Sequence, residues 1–432
     1  MHRCQTISGW ACLTVTLVMI ALWPRSVAAA EVTQVMDAFD GATVWSGSLS
    51  LRYEFMHRRS SIVREWVCEK GDPLCPNQTQ VLDTKQLRFS ENASLLHLDL
   101  RTGLYKDLEL YASLPLVLSW QSELNHDTGV STGNSLVSTG LTSTLFTVPF
   151  ESARRIGIGD LSAGLKWAPI HAQRDSLLPS VVIGAEYLAP TGSARSAGGT
   201  GVGGGVHAFT LFTAISQPIG RIVEPYLTFN GTYRVAEPSG PFQHTVVTQT
   251  RVAPGHSMAF AMGAEFSPWG APGEIGQRLR VDLRAMADFT TDGRQFSELF
   301  DALGTSECSP ANQCDRTLYT RTRFDQVPKR TDGVTDVEQH GRVGGQLSVT
   351  YDALENLTIR ALGAYYFTMS HFITYADAGK DLDGQGNVRW ANKRGQNEFN
   401  PFYNHSYDDF GKRFRVEGSH DVRFFLTIQG QL

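Results

Sequence analysis

The chain has 432 residues, 38 Lys and Arg against 43 Asp and Glu, a formal net charge of -5 and 41 glycines. That charge gives a nucleic-acid partner no electrostatic support. A soluble chain of this length would divide into two or three domains, yet no composition break, linker or helical period marks a boundary.

The amino terminus carries Arg3, an apolar run from about Trp10 to Trp23, and Ala28-Ala29-Ala30 ahead of Glu31. These are the three parts of a secretory signal peptide. The run is shorter than the ~20 apolar residues a membrane helix needs, and Pro24 and Arg25 close it. Cleavage is expected after Ala30, making 1–30 a signal peptide, 31–42 a periplasmic segment and 43–432 the folded unit. Cys12 precedes most of the run, which does not suit a lipoprotein. Cys4 and Cys12 leave with the peptide, so Cys68 and Cys75, and Cys308 and Cys314, remain as two close pairs. In an exported chain an even count at short spacing favours disulfides. Neither pair has a His or a second pair at zinc spacing. Four cysteines permit three pairings, of which two local bridges are the simplest.

Downstream the pattern has period two, the mark of strands with one apolar face. Leu108, Leu110, Ala112, Leu114, Leu116, Leu118 and Trp120 alternate with polar neighbours, as do Leu279, Val281, Leu283, Ala285, Ala287 and Phe289. Similar runs predict twelve strands near 43–56, 92–102, 107–120, 156–168, 180–190, 206–217, 224–236, 256–268, 278–291, 341–352, 356–370 and 418–432. Each is long enough for a tilted bilayer crossing of about 9–11 residues. Connections after odd strands are long (57–91, 121–155, 191–205, 237–255, 292–340, 371–417), and those after even strands are short. Outer-membrane barrels sort their loops in this way; a soluble sandwich has no reason to. Trp120, Trp167, Tyr187, Tyr233, Phe266, Phe289, Tyr351 and Phe367 lie near strand ends on the apolar face, where interfacial girdles sit. The expected fold is all-β, an antiparallel up-and-down transmembrane barrel in the outer membrane of a Gram-negative bacterium. Outer-membrane lipid and lipopolysaccharide are its expected surroundings. The last strand runs to Leu432 with Val422, Phe424, Leu426 and Ile428 on one face. It resembles the signal read by the barrel-assembly machinery, although an aromatic last residue is the usual form.

Three segments carry a family resemblance: Leu104-Tyr105-Lys106-Asp107-Leu108, Gly159-Asp160-Leu161-Ser162-Ala163-Gly164-Leu165-Lys166-Trp167, and Ala189-Pro190-Thr191-Gly192-Ser193 with Gly199-Thr200-Gly201. They resemble the outer-membrane barrels grouped as transporters of the phenol meta-pathway, distant relatives of the long-chain fatty-acid and toluene transporters. The resemblance covers roughly residues 95–235 and implies passage of small, often hydrophobic or aromatic solutes. An amino-terminal plug like that of the fatty-acid transporters has little room, because only about Glu31 to Gly41 precede the first strand.

On the polar, inward face fall Arg52, Glu54, His97, Asp99, Arg101, Glu109, Lys166, Glu186, Arg234, Glu265, Arg280, Asp282, Arg284, Asp288, Arg360 and Arg423. Such charges set selectivity in a pore, or they fill a narrow lumen as a salt-bridge network. A twelve-stranded barrel lies between filled eight-stranded barrels and open porins, so both readings stand. The near balance of signs argues against strong ion selectivity. Asp377, Asp381, Asp383 and Asn387 imitate part of a calcium loop, but Gly379 occupies the first position and no Glu the twelfth. A solvated acidic loop is the favoured reading, and no cofactor is expected. Gly199 to Gly204 fits a dinucleotide motif formally, without the helix that motif needs. Two rival functions remain. A lipid-modifying hydrolase would draw on His97 with Asp99, or on His405-Ser406 with Asp408 and Asp409, and a surface-binding barrel would act through its disulfide-tied loops.

Overall fold

The computed structural model describes residues 30–38, 46–137, 145–172, 178–220, 222–236, 252–269, 277–306, 319–321, 328–330, 332–376, 404 and 407–432. Twelve strands form one closed antiparallel barrel. They are β1 (Gly47–Cys68), β2 (Gln80–Tyr105), β3 (Leu108–His126), β4 (Leu161–Ile170), β5 (Ser180–Ala189), β6 (Val206–Ser216), β7 (Val223–Ala236), β8 (Ser257–Trp269), β9 (Arg278–Thr290), β10 (His340–Leu354), β11 (Leu357–Thr368) and β12 (Phe414–Gln431). Each strand pairs with the next. β12 closes the circle on β1, paired from Ser48 opposite Gln431 to Arg64 opposite Phe414 with one register shift between Arg59 and Ser61. A short strand, Arg155–Ile158, precedes β4 and pairs with the upper part of β3. No described helix is long and apolar enough to cross a membrane.

The alternation of faces is inverted relative to a soluble protein. On β1, Leu49 and Leu51 are both 46% exposed, while Ser50 and Glu54 between and beyond them are 8% exposed. On β9, Leu283 points out and Arg280 and Asp282 point in. A continuous apolar belt of this size would be a liability in water; in a bilayer it is the surface lipid requires. Trp167, Tyr187, Tyr233, Phe266, Phe289 and Phe367 are on this outer face. Trp120 is not. Leu118 has no residue opposite it, because Ser94 pairs with Ser119 and Leu95 with Val117. This bulge shifts the parity of β3, and Trp120 turns inward to donate its Nε1–H to Glu91 at 2.7 Å. An inserted residue of this kind re-aims the side chains that follow it.

Four inward glycines each stand directly opposite an aromatic residue on the neighbouring strand: Gly164 and Tyr111, Gly184 and Phe212, Gly263 and Tyr226, Gly344 and Tyr366. A Cβ at Gly184 would lie 2.0 Å from the Phe212 ring, and one at Gly263 would lie 2.4 Å from the Tyr226 hydroxyl. The missing side chain lets each ring lie flat on the wall. The glycine is covered and the lumen keeps its width.

β1 and β2 continue well past the bilayer. β1 has 22 residues and β2 has 26; at ~3.3 Å per residue β1 alone spans roughly 70 Å. Most of the loop expected over 57–91 is therefore strand, and only the tip from 69 to 79 turns. Cys68 and Cys75 are bridged there, as the short spacing suggested. Cys308 and Cys314 lie outside the described residues. The main apolar core sits outside the membrane section. Ile62, Leu87, Phe89, Leu124, Leu299, Leu303, Ile373, Tyr407 and Phe414 pack together where the tall strands meet the long connections. Helix α1 (Phe300–Thr305) belongs to this cap. Gly333 (φ 84°) admits it closely, since a Cβ there would lie 2.1 Å from the Phe300 carbonyl.

The fold places Thr132 beyond the long-loop end and Glu355 in the β10–β11 turn, both exposed. On intact cells a membrane-impermeant maleimide should label Thr132→Cys and spare Glu355→Cys; the reverse pattern would invert the topology.

Candidate functional site: a charged lumen in two chambers

Most of the lumen charges are paired, some across strands and some along one. In the inner half Arg101 grips Glu109 with two bonds, Nε to Oε1 at 2.8 Å and Nη2 to Oε2 at 2.7 Å. Lys166 adds a third contact at 3.5 Å, and Glu109 is fully buried. Two-pronged contacts of this kind are the strong, geometrically specific form of ion pair. Arg52 meets Asp99 at 3.5 Å. Arg280 lies 3.1 Å from Asp352 and 3.8 Å from Glu265. Glu186 is hydrogen-bonded to Tyr111.

At mid-height, Arg284 donates to the Tyr226 hydroxyl at 2.8 Å, and that hydroxyl donates to Asp282. Glu54 contacts His97 at 2.9 Å and Arg423 at 3.4 Å, while Arg423 also holds Asp421 at 2.7 Å. His97 thus pairs with Glu54 and not with Asp99, which is bound by Arg52, Ser50 and Ser113. The His97–Asp99 arrangement considered for base chemistry does not form. Asp288 binds Arg342 at 2.5 Å. Arg234 donates to the Gly255 carbonyl at 2.6 Å and to Ser257 at 3.1 Å.

These pairs border two cavities. The inner one has a volume of about 900 Å³ and is lined by six basic and six acidic side chains, among them Arg52, Arg101, Lys166, Asp99, Asp160 and Glu186. The outer one, about 790 Å³, is also lined by six of each sign, and adds Phe89, Trp120, Met258, Met286, Phe296 and Phe300. There the Arg195 guanidinium stacks on Trp120 at 3.6 Å. Arg155 ties the roof together, donating to Asp301 of α1 at 2.7 Å and to the Gly199 and Gly201 carbonyls at 2.9 Å.

The described part of the amino-terminal segment, residues 31–38, enters the inner mouth. Glu31 pairs with Arg360, the Met36 amide donates to Glu109 at 2.9 Å, and Thr33 Oγ1 meets Ser216 Oγ at 2.7 Å. Val32 and Val35 pack on Ala168, Val182 and Ala214. Eight residues suffice because they contact the wall directly, with no domain of their own to build. Asp37 accepts the Asp107 amide at 2.8 Å, in the β2–β3 turn where Asp107 takes φ 55°.

The three segments that carry the family resemblance serve this architecture. Asp160, at the break before β4, accepts the amides of Gly192 at 2.9 Å and Gly204 at 2.7 Å. It thereby seats the 191–205 loop on the wall. The glycine-rich stretch is a loop, as read. Sequence reasoning passed over Arg58, Glu91, Arg155, Arg195, Glu224, Glu298, Asp301, Arg342 and Asp421. Arg342 and Asp421 share the inward parity and were open to that signal; Arg195, Glu298 and Asp301 sit on connections that have no period. Asp377, Asp381, Asp383, Asn387, His405 and Ser406 lie outside the described residues. Among the described ones no group of three or more His, Cys, Asp or Glu gathers as metal ligands.

No family model matches the chain, and no curated protein does. Among solved structures it is similar to an outer membrane channel from Pseudomonas putida F1 (10% identity over 94% of this chain and 100% of that one, TM-score 0.43). It is also similar to a Pseudomonas aeruginosa FadL homologue (10%, 89% and 90%, TM-score 0.32). A third likeness is to the outer membrane protease OmpT from Escherichia coli (7%, 93% and 100%, TM-score 0.30). A channel and a protease both appear at such distances, so these likenesses do not discriminate function.

Burial in the mouth works against the charge of Glu31, but Arg360, Arg280, Arg101 and Arg284 outweigh it and hold the carboxyl below its usual value. A lowered acid contributes its stabilisation above the ordinary carboxylate value of about 4.3 and loses it as pH falls through the lowered one. A dipyridyl disulfide, a thiol probe that stays reactive in acid, should therefore be held off Gln34→Cys at neutral pH and reach it under acid. In a Glu31→Gln background it should already reach the thiol at pH 7, and unchanged shielding there would remove Glu31 from the role.

Proposed function

We propose that the chain is an outer-membrane channel for small, uncharged or zwitterionic solutes with an aromatic or otherwise apolar part, working by diffusion and without catalysis. One observation carries the reading: a closed barrel holds two chambers of about 900 and 790 Å³ whose charges cancel within each chamber. Small-molecule sites typically enclose roughly 300–1,000 Å³. Charges paired at 2.5–4.0 Å leave little net field along the axis, so the lumen offers polar partners without favouring either sign of ion. The outer chamber adds flat apolar faces at Phe89, Trp120, Phe296 and Phe300, surfaces on which a planar ring can stack. The exposed apolar belt supplies the lipid contact that this location requires.

Proteoliposomes carrying the barrel without residues 31–38, the segment seated in its inner mouth, test the reading directly. A neutral aryl glycoside, which bare lipid holds back, should pass faster than an aryl glucuronide or an aryl glycosylamine of the same size, with the two charged solutes slowed alike. Strong preference for one sign, or no flux above protein-free vesicles, would overturn it.

A further inference from the structure

The two backbone nitrogens flanking the expected cleavage point both face carboxylates. The Glu31 amide donates to Glu265 Oε2 at 3.1 Å, and the Ala30 amide is hydrogen-bonded to Glu224. Glu224 on β7 and Glu265 on β8 stand directly opposite each other, both turned inward and both 7% exposed. Like charges in direct opposition are destabilising unless a cation serves both. Glu265 has Arg280 at 3.8 Å and Arg278 at 4.0 Å, the outer limit of an ion pair. Glu224 has no ion pair among the described residues; besides the Ala30 amide it accepts the Ser216 hydroxyl at 2.5 Å. Asp352 draws on the same two arginines, Arg280 at 3.1 Å and Arg278 at 3.6 Å, so three carboxylates share two cations where the chain is expected to be cut.

We propose that removal of residues 1–30 turns the Glu31 nitrogen into an α-ammonium that binds between Glu224 and Glu265 and locks the amino-terminal segment across the inner mouth of the barrel. The proposal rests on cleavage after Ala30, and its consequence for flux rests on the channel reading. The chemistry balances simply. Hydrolysis of the Ala30–Glu31 peptide bond gives the departing peptide a carboxylate and the new terminus an amine, which is protonated at neutral pH. The uncut chain offers this site two neutral N–H groups, those of Glu31 and Ala30, and cleavage takes the second away; the ammonium offers three donors and a full charge. Charge-assisted bonds are roughly twice as strong as neutral ones. The rest of the segment is already seated, through Thr33 on Ser216, Met36 on Glu109, and Val32 and Val35 on the wall. From that anchor the Glu31 side chain reaches Arg360 on β11, so one residue joins two stretches of wall. Processing itself would then complete the closure.

The test uses mature protein extracted from outer membranes in detergent. Intact mass first reads the terminus, and a start other than Glu31 overturns the proposal at its premise. The α-amine is then modified at neutral pH with a pyridine carboxaldehyde selective for chain termini. Folded wild type should react about tenfold or more slowly than folded Glu224→Gln/Glu265→Gln, the factor expected for losing roughly one charge-assisted contact. Folding is checked by the change in gel migration on boiling. Should the double variant not refold, Glu224→Gln alone should still react several-fold faster, by loss of one of the two carboxylates. Equal rates in wild type and folded variant would overturn the lock. The labelling requires no solute flux, so its outcome is independent of the channel reading.

Discussion

Everything inside this barrel follows from one constraint: lipid takes the apolar face of every strand, and the polar faces must satisfy one another in a single narrow space. A soluble sandwich would bury Leu49, Leu51 and Phe55 and leave Arg52 and Glu54 to water. Here the first three face out and Glu54 is 8% exposed. Closure of β12 on β1 removes every free edge. The lumen is then wide enough for water and small solutes, yet too narrow for an unpaired charge to hydrate freely. Removing one partner of a buried pair costs roughly 3–5 kcal/mol in general, which explains why Glu109 is held by both Arg101 and Lys166.

The same constraint shapes the two ends. At the inner mouth a short segment can act as a stopper because the wall already presents carboxylates and arginines to its amides and to Glu31. At the outer end lipid no longer dictates which face is apolar, and the tall strands pack with α1 and the long connections around a conventional core. Between these closures lie the two chambers, with the Glu54–His97–Arg423 and Tyr226–Asp282–Arg284 clusters at mid-height. Flat-lying rings over Gly164, Gly184, Gly263 and Gly344 keep the aromatic side chains of the wall from closing that space.

How far the sequence could be read follows from where period two operates. Within the bilayer the alternation is enforced by lipid, so strand positions and the inward parity of residues such as Arg280, Asp282 and Arg284 are legible. Past the bilayer it is not enforced. Ile62, Leu87 and Phe89 are buried in the cap, and the stretch 57–91 therefore reads as loop although most of it is strand. Trp120 fails for another reason: one extra residue at Leu118 reverses parity, and no count along a single strand reveals an insertion relative to its neighbour. Partner choice is equally hidden. Glu54 lies opposite Leu95 and His97 opposite Arg52, so the Glu54–His97 contact is diagonal and needs the register. Arg155, Arg195 and Asp301 meet only through connections that carry no periodic signal. The amino-terminal stopper leaves no signal in segment length, because a few residues matched to a charged wall are enough to hold it.

The central claim is that a closed, internally paired lumen is stoppered by the chain's own amino terminus. Single-channel recording in a planar bilayer tests it most directly, comparing the refolded chain beginning at Glu31 with one lacking residues 31–38. The account predicts a quiet or weakly conducting barrel with the segment in place and discrete, larger steps without it, carried about equally by cations and anions. Large open steps from the complete chain, or identical traces from the two, would contradict it.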